Sequence, residues 1–452
     1  MRNKLIIIFE YFTFILLSLL ICGYVLFSKT FSKIAFNLYT LPIYINELFL
    51  IIGLIICIVY IINKTPQKFI KLDLLNIGFL SFYILFFISL FRGMFLYSDK
   101  NFVLRQSALF YYSLFFFITI FSFNNGLYRK IKILNYIFLI LGNIVAIPFL
   151  LENINLKILK FLPVGLEEGG YYFISLLLFL IIIDFLLAKN KILKSLYCID
   201  LIMLSVVNFF YMMRGVWIAT IIAIIFLIVS FFIIKIDRKK LLSFNIAFFT
   251  TIIFSAIIIF IIINFQSEIR SAVKSEFQSF SNNFNKNASE LRLAGDIPSI
   301  NTQWRLITWK DMLIEVKKSP FLGYGFGKKF ISKTTIEHGW TTGLEDGWVE
   351  AHNYIISFLF RSGLLGLFSF LFIIAAFFKK VFEFIKKHIS EKLKIILICI
   401  LSGIVYILIL GLFEVVLEVP YFGFFLWFLM GLCICIINNE NRNNLSNFKN
   451  NN

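Results

Sequence analysis

The segment HNYIISFLFRSGLLG, His352 to Gly366, places a histidine and two glycines at the edge of a long apolar run. An imidazole titrates near neutral pH, so His352 is suited to move a proton. At about 100° per residue, a continuous helix would place Gly363 and Gly366 within about 40° of His352, on one face. That face would let a neighbouring helix or a lipid-linked ligand approach the backbone. The alternative is a helix-packing seam in which His352 is a satisfied interfacial residue.

Two arginines in apolar surroundings point to anions. Arg214-Gly215, in FFYMMRGVWIAT, separates two apolar runs with almost no loop. A guanidinium forms bidentate hydrogen bonds that suit a diphosphate, and the alternative is a turn cap that contacts lipid headgroups. Arg361 lies nine residues after His352, on the opposite face of a continuous helix. Near the membrane surface it would snorkel, whereas deeper it needs a carboxylate, for which Glu414 and Glu418 are candidates.

The amino-acid composition indicates the class of protein that positions His352 and the two arginines. Of 452 residues, 60% are hydrophobic, 59 are Phe, and only 15% are charged, which predicts a polytopic membrane protein. The net charge of +18 reflects topology, since no basic run is interleaved with aromatic residues as in nucleic-acid-binding segments. All six cysteines fall in apolar runs, so neither a disulfide nor a zinc site is indicated.

Twelve apolar runs have about the length that crosses a bilayer, which predicts an all-α bundle of about twelve transmembrane helices. They are Leu5 to Phe27, Leu41 to Ile62, Leu74 to Phe91, Ala108 to Phe123, Ile133 to Leu151, Tyr171 to Leu187, Leu196 to Met213, Val216 to Ile234, Phe244 to Phe265, Phe358 to Phe378, Ile395 to Phe413, and Tyr421 to Ile437.

The distribution of lysine and arginine orients this bundle. Basic residues concentrate in alternate loops and in both termini, so the positive-inside rule places both termini in the cytoplasm. The short outer loops hold only Lys29, Lys33, Arg92, Lys100, Arg105, Lys157, Lys160 and Arg214. The first run lacks a small-residue cleavage site, so we expect it to be retained.

A long segment, Gln266 to Glu350, connects the ninth and tenth runs on the outer side. Its first part, SFSNNFNKNASE, is polar and is expected to be flexible. In its second part, Trp309, Met312, Leu313 and Val316 follow the spacing of an amphipathic helix, which Ser319-Pro320 would end. A loop of this length is generally functional or disordered.

Three glycines then follow at alternate positions, Gly323, Gly325 and Gly327. They predict a tight turn, and their backbone amides could either face an anion or form a plain turn, the favoured alternative. The chain therefore divides into helices 1 to 9 (residues 1–265), the outer loop (266–351), helices 10 to 12 with the histidine segment (352–437), and a polar cytoplasmic tail (438–452).

These features resemble a known superfamily. A histidine, an asparagine, nine residues, a glycine, two residues and a glycine are similar to the signature of the O-antigen ligases and O-antigen polymerases. The matching residues are His352, Asn353, Gly363 and Gly366. The twelve spans, the loop between spans nine and ten, its WRLITWKDMLIEVKKSPFLGYGFG segment and the Arg-Gly at the start of span eight also look like that superfamily. The resemblance runs from about Arg105 to Met430.

The resemblance implies a glycosyltransferase of the bacterial cytoplasmic (inner) membrane, with its active site on the extracytoplasmic face. The donor would be a glycan on undecaprenyl diphosphate. The acceptor would be lipid A-core in a ligase, which we slightly favour, or another lipid-linked repeat unit in a polymerase. Direct displacement would invert the anomeric carbon, without a nucleotide, metal or other cofactor.

Roles for individual residues follow from the same resemblance. Arg214 and Arg305 would neutralise the diphosphate, and His352 would accept the proton of the acceptor hydroxyl. The substrate-binding positions would be Asn353, Gly363, Gly366, Arg361 and Glu414, of which Glu414 corresponds to a late acidic residue of some ligases. His338 and His388 show no metal-ligand spacing with His352. Aromatic residues that could stack on sugars, or form an interfacial belt, are Trp304, Trp309, Trp340 and Trp348.

A transporter or flippase of lipid-linked glycans is the rival from another class. Such proteins usually bind substrate near the membrane midplane, often at broken helices. Here the candidate residues gather at one membrane face, and the sequence shows no internal repeat. A purely structural scaffold is a weaker third choice, because it would not need Arg214 and His352 together.

Overall fold

The structure is a computed structural model that describes residues 2–38, 41–63, 73–153, 168–210, 213–265, 271, 274, 297–332, 350–387 and 389–450. In chain order its helices are α1 (Arg2–Ser32), α2 (Ile45–Asn63), α3 (Leu74–Leu96), α4 (Lys100–Gln106), α5 (Ala108–Tyr111), α6 (Leu114–Ser122), α7 (Leu127–Asn153), α8 (Glu168–Leu187), α9 (Lys191–Phe210), α10 (Arg214–Ile233), α11 (Arg238–Phe265), α12 (Ile297–Val316), α13 (Tyr354–Lys386), α14 (Glu391–Leu410) and α15 (Pro420–Asn450). Two strands, β1 (Ala35–Leu38) and β2 (Leu41–Tyr44), lie between α1 and α2.

The prediction of an all-α polytopic membrane protein is confirmed. In the described part of the chain, nine helices are long and apolar enough to cross a membrane. The pair Lys100–Tyr111 and Leu114–Ser122, bent by 51°, brings the number to ten if it forms one span. Two shorter apolar helices, Ile45–Val59 and Tyr172–Leu187, coincide with the second and sixth predicted runs. Each of the twelve predicted runs thus overlaps a helix.

Two local features differ from the predicted helices. Leu41, the predicted start of the second span, instead belongs to β2, which pairs antiparallel with β1. Pro42 explains the change, because a residue that precedes proline is disfavoured in the helical region. The fourth span is not one helix from Ala108 but the series α4, α5 and α6. Asp99 caps α4 by accepting a hydrogen bond from the Phe102 amide at 3.0 Å.

The centre of the bundle is formed by α14 and α15. The most apolar stretch of α15 is 94% buried, whereas that of α11 is only 22% buried and lies at the periphery. Helix α10 packs on α14, and α3 packs on α13. Phenylalanines fill much of the space between helices, as in the stacked pairs Phe82 with Phe110 and Phe358 with Phe370, whose centroids are 4.3 and 4.8 Å apart. Such offset aromatic pairs are favourable beyond the area they bury.

The amphipathic helix predicted in the long loop is present as α12. Met312 and Val316 are buried and pack with Ile356 and Phe360 of α13. Leu313, the fourth member of the predicted stripe, is instead 41% exposed because it lies at the edge of that stripe. The predicted flexible part, residues 279–290, lies outside the described residues.

The three glycines after α12 form a tight turn, which we call the glycine turn (residues 319–327). All three have positive φ, at 60°, 81° and 96°. Their amides are occupied by protein acceptors: Gly323 donates to the Ser319 carbonyl, Gly325 to the Arg361 carbonyl, and Gly327 to Gln106 Oε1. The plain-turn alternative is therefore correct, and an anion cradle at these amides is not.

Helix α13 is broken where the glycine turn docks. Gly363 has φ of 67° and ψ of −167°, so the α-helical hydrogen-bond pattern is interrupted there. The freed backbone groups pair with the turn: the Leu364 amide donates to the Pro320 carbonyl at 2.8 Å, and the Arg361 carbonyl accepts from Gly325 at 2.8 Å. A Cβ on Gly363 would overlap the backbone of Phe321. The expectation of a continuous helix in this segment was therefore wrong.

Candidate active site

A cavity of about 510 Å³ opens at the end of the bundle where α12 and the glycine turn lie. We call it the polar cavity. Its charged or ionisable lining includes Lys29, Lys33, Glu47, Arg105, Glu350, His352, Glu414 and Glu418. The lining residues come from helix ends and connections, so several separate parts of the sequence meet here. Of the site residues predicted from sequence, His352 and Glu414 line this cavity directly.

His352 lies just before the first turn of α13. Its backbone has φ of 48°, a left-handed conformation that is uncommon for residues other than glycine and that often occurs at functional sites. The next residue, Asn353, is the N-cap, and its side chain accepts hydrogen bonds from the amides of Ile355 and Ile356 at 3.0 and 3.4 Å. Asn353 therefore fixes the start of the helix and thereby the position of His352.

The His352 imidazole faces Glu414. Its Nδ1 lies 3.6 Å from Glu414 Oε2, slightly beyond hydrogen-bond distance, and is buried without a hydrogen-bond partner. The side chain as a whole is 32% exposed. Trp304 of α12 packs edge-to-face on the imidazole, with centroids 5.5 Å apart. One nitrogen is thus turned towards a carboxylate while another part of the ring remains open.

Glu414 connects this histidine to Arg305. The Arg305 guanidinium donates to Glu414 Oε1 at 3.0 Å and to the Phe413 carbonyl at 2.6 Å. Burial raises the pKa of the Glu414 carboxyl, but the adjacent His352 and the charge of Arg305 outweigh burial and hold the pKa below its ordinary value. Glu414 is therefore ionised at neutral pH.

The Arg214-Gly215 pair forms the start of α10, next to the same segment. A Cβ on Gly215 would lie 3.0 Å from Phe413 Cβ and 3.9 Å from Glu414 Oε1, so the glycine allows α10 to approach closely. Arg214 is half-buried, and Met213, the N-cap, lines the polar cavity. The structure thus gathers the Arg214-Gly215 backbone, Arg305, His352 and Glu414 in one region.

Arg361 is buried within the protein. It is 4% exposed, and its Nη1 lies 2.5 Å from Glu418 Oε2, so Glu418, one of the two predicted carboxylates, is its partner. Gly363 allows the glycine turn to dock, and Gly366 is packed against the Ser362 side chain. Because α13 begins after His352 and breaks at Gly363, the two glycines do not share a helical face with the histidine. Substrate contacts by Asn353, Arg361 and these glycines stay predictions.

Sequence reasoning missed several residues of the cavity. Lys29, Lys33 and Arg105 line it, as do the carboxylates Glu47 and Glu350. The sequence does contain a signal for the three cations. All three are basic residues on the predicted outer side of the membrane, where the positive-inside rule disfavours them. Burial and the nearby Glu418 carboxylate raise the pKa of Glu350, although the charges of Arg361, His352 and Arg105 lower it in part.

Among the described residues, no group of three or more His, Cys, Asp or Glu side chains could hold a metal ion. Of the predicted sugar-stacking residues, Trp309 donates to the Ala351 carbonyl and Trp304 contacts His352, whereas Trp340 and Trp348 lie outside the described residues. His338 and His388 lie outside them as well.

Comparison with known families found one match, which covers part of the chain. Residues 199–371 match the family model described as O-antigen ligase. This part of the chain is similar to the O-antigen ligase family. The O-antigen ligase region runs from α9 into α13 and includes Arg214, Arg305, His352, Asn353 and both glycines. It supports membership of the O-antigen ligase and polymerase superfamily.

The match also bears on the general class of function. It supports a glycosyltransferase-like enzyme of the O-antigen ligase or polymerase type, with a lipid-linked glycan and an acceptor as partners in general. The apolar helices show a multi-pass membrane protein. A search of curated proteins found no match to the chain. Glu414 and the cations Lys29, Lys33 and Arg105 lie outside the O-antigen ligase region, so the fold supplies part of the cavity from other segments.

Proposed function

We propose that the protein is an inverting, metal-independent glycosyltransferase that moves a glycan from undecaprenyl diphosphate to an acceptor hydroxyl. The reaction takes place on the extracytoplasmic face of the cytoplasmic membrane. The observation that carries this proposal is the His352 imidazole, open to the polar cavity on one side and backed by the Glu414 and Arg305 pair on the other. The family of residues 199–371 supports the substrate class.

His352 acts as the general base. Because Nδ1 is buried and faces Glu414, we assign the ring proton to Nδ1 and the basic lone pair to Nε2. Nε2 takes the proton of the acceptor hydroxyl as the acceptor oxygen forms a bond to the anomeric carbon. The bond between that carbon and the diphosphate oxygen breaks, and undecaprenyl diphosphate leaves with the electron pair. Glu414 stabilises the resulting imidazolium.

The arginines stabilise the charge on the leaving group. Arg214 binds the diphosphate at the start of α10, where the positive end of the helix dipole adds to its charge. Arg305 uses part of its donor set on Phe413 and Glu414, and its remaining N–H groups would bind the diphosphate. Donors that are already held in place lose little energy to reorganisation as charge develops.

The acceptor distinguishes two enzymes of the same superfamily. We favour a ligase acting on lipid A-core or a similar acceptor, with a repeat-unit polymerase as the alternative. A lipid-linked glycan transporter is less well supported, because the polar cavity lies at one end of the bundle and His352 and Glu414 both lie within it.

The test is the surface glycan profile of a deletion strain on a gel, complemented by wild type, His352→Ala, Arg214→Ala and a control, Lys310→Gln. Lys310 is an exposed residue of α12 that does not line the cavity. We expect wild type and the control to restore the profile. Both alanine variants should fail, by about 10²- to 10⁴-fold in rate for His352→Ala, at unchanged membrane levels.

The products of the deletion strain separate the alternatives. Full-length glycan left on the lipid carrier indicates a ligase, and single repeat units on the normal acceptor indicate a polymerase. A normal profile in both alanine variants would contradict the proposed function and favour transport.

A further inference from the structure

The glycine turn presents large apolar side chains at the protein surface. Phe321 is 64% exposed and Leu322 is 36% exposed. The outer end of α3, next to the turn, is apolar and exposed as well, since Phe95 is 85% exposed and Leu96 is 62% exposed. Exposed apolar side chains that lie together mark a surface that meets a partner or a membrane.

Hydrogen bonds to α3 fix the level of the turn along that helix. The Arg92 guanidinium donates to the Leu322 carbonyl at 3.0 Å, and the Phe326 amide donates to the Ser89 carbonyl at 3.3 Å. Ser89 lies within the apolar run Leu74 to Phe91, and α3 is long and apolar enough to cross a membrane. The turn is therefore level with the outer end of this span and does not lie above it.

Contacts with α13 give the same level from the other side. The Tyr324 amide donates to the Phe360 carbonyl at 2.9 Å, and the Leu365 amide donates to the Phe321 carbonyl at 3.1 Å. Both α13 residues lie within the apolar run Phe358 to Phe378, in a second helix that can cross a membrane. The turn thus lies beside two spans, although it belongs to the segment predicted to be an outer loop.

The backbone of the turn is paired in a way that suits a place within a membrane. The five amides from Gly323 to Gly327 all donate hydrogen bonds, and the six carbonyls from Ser319 to Tyr324 all accept them. Irregular backbone at membrane depth is tolerated where protein groups replace water as hydrogen-bond partners. The glycine turn meets this requirement at these positions.

We propose that the glycine turn is inserted in the outer leaflet of the membrane, with Phe321 and Leu322 against lipid acyl chains. The lipid is the occupant of this surface because the surface continues along the exposed sides of two spans. Phe91 of α3 is 59% exposed, and Phe368 of α13 is 61% exposed. The inference does not depend on the proposed reaction.

Insertion of the turn anchors the outer loop to the membrane. Helix α12 ends at Val316, just before the turn, and its earlier residues Trp304 and Arg305 contact His352 and Glu414. The anchor therefore holds the loop helix that contributes to the candidate active site at the membrane surface. Lipid-linked molecules have their headgroups at that level.

The first experiment compares cysteine reactivity at two positions of the full-length protein in phosphatidylcholine nanodiscs. The variants are Phe321→Cys and the control Lys318→Cys, whose native side chain is 67% exposed and lies three residues earlier. A charged, water-soluble maleimide is the probe, and wild type gives the background from the six native cysteines. Labelling in SDS gives the total thiol content of each variant.

The second experiment detects acyl chains directly. Phe321→Trp keeps a large aromatic side chain, and Lys318→Trp is its control. Tryptophan emission is compared in nanodiscs of ordinary phosphatidylcholine and of phosphatidylcholine brominated on its acyl chains, with wild type subtracted. This measurement also decides the question if Phe321→Cys does not fold.

Insertion predicts slow labelling and strong quenching at position 321. We expect Phe321→Cys to react about tenfold or more slowly than Lys318→Cys, because a thiol in apolar surroundings forms little thiolate. The added emission of Phe321→Trp should be quenched by the brominated chains, and that of Lys318→Trp much less.

Two outcomes overturn the proposal. Labelling rates of the two cysteine variants within about twofold of each other would show that the turn lies in water. Slow labelling of Phe321→Cys without added quenching in Phe321→Trp would show that another part of the protein, and not lipid, covers the turn.

Discussion

Two glutamates, Glu414 and Glu418, lie four residues apart on the connection between α14 and α15, and each pairs with an arginine from another helix. The two pairs differ in exposure. In the Glu418–Arg361 pair the side chains are 10% and 5% exposed, and the charges satisfy each other. In the Glu414–Arg305 pair the side chains are 12% and 26% exposed, and Glu414 also faces His352, which is 32% exposed. The same two residue types thus form a closed pair and an open one.

This difference in exposure indicates a different role for each glutamate–arginine pair. A closed pair stabilises the fold mainly because either partner alone would be a buried, uncompensated charge. An open pair next to a titratable imidazole can respond to a substrate, because the arginine has remaining donors and the carboxylate has a second neighbour. Substitutions in the open pair should therefore reduce transfer, and those in the closed pair should reduce stability.

The largest effect is expected for Glu414→Gln. Glutamine keeps the size of the side chain and can still accept from Arg305, but it cannot stabilise an imidazolium at His352. We expect transfer to fall by about 10²- to 10⁴-fold with little change in the melting temperature. The rate of glycan transfer and a thermal unfolding curve in detergent measure the two quantities. Normal transfer by this variant would remove Glu414 from the mechanism.

Glu418→Ala should instead destabilise the protein. It leaves the Arg361 charge buried without its partner, which costs about 3–5 kcal/mol. The measurement is the midpoint of thermal unfolding in detergent. The double variant Glu418→Ala/Arg361→Met should recover much of the loss, because it also removes the buried guanidinium that lost its partner. If the single and double variants unfold at the same temperature, the pair does not have the stabilising role assigned to it.

Gly363→Ala tests whether the open pair depends on docking of the glycine turn. The new Cβ would overlap the Phe321 backbone, and alanine is also unfavourable at a φ of 67°. We expect a loss of about 1–3 kcal/mol and faster proteolysis at residues 319–327. Gly403→Ala is the control, since its Cβ would approach only the side-chain ends of Leu176 and Leu429. Equal protease resistance in both variants would show that docking tolerates a side chain.

Sequence alone predicted the helices but not their breaks. Apolar runs of membrane-spanning length are a local signal, and each of them overlaps a helix. The break in α13 depends on Pro320 and Gly325, about forty residues before Gly363, and no local pattern records that contact. The partner of Arg361 was predicted as Glu414 or Glu418, because a buried arginine requires a carboxylate and these two follow the eleventh apolar run at its outer end. Lys29, Lys33 and Arg105 were recognised as basic residues on the predicted outer side, but their place in the cavity was not predicted, because it depends on how α1 and α4 meet the cavity.

A third carboxylate extends the comparison to an exposed site. Glu315, near the end of α12, bonds Lys318 at 2.6 Å and Lys328 at 3.0 Å, and Lys318 is 67% exposed. The hydrogen bonds from Lys318 and Lys328 lower the pKa of Glu315 from 4.5 to about 2. Because this pKa is lower in the folded protein, the pair stabilises the fold above about pH 4.5. That contribution is lost as the pH falls from there towards 2.

Exposure to solvent makes this the smallest expected effect. Glu315→Gln should cost less than about 1 kcal/mol at pH 7, since water and salt screen exposed pairs. The difference from wild type in the thermal unfolding midpoint should shrink as the pH is lowered below about 4.5, and also in high salt. Lys310→Gln on the same helix should show neither trend. A difference that is independent of pH would mean that Glu315 contributes by packing against Tyr324 and not by its charge. In that case, solvent exposure would not explain the different effects expected for Glu315, Glu414 and Glu418.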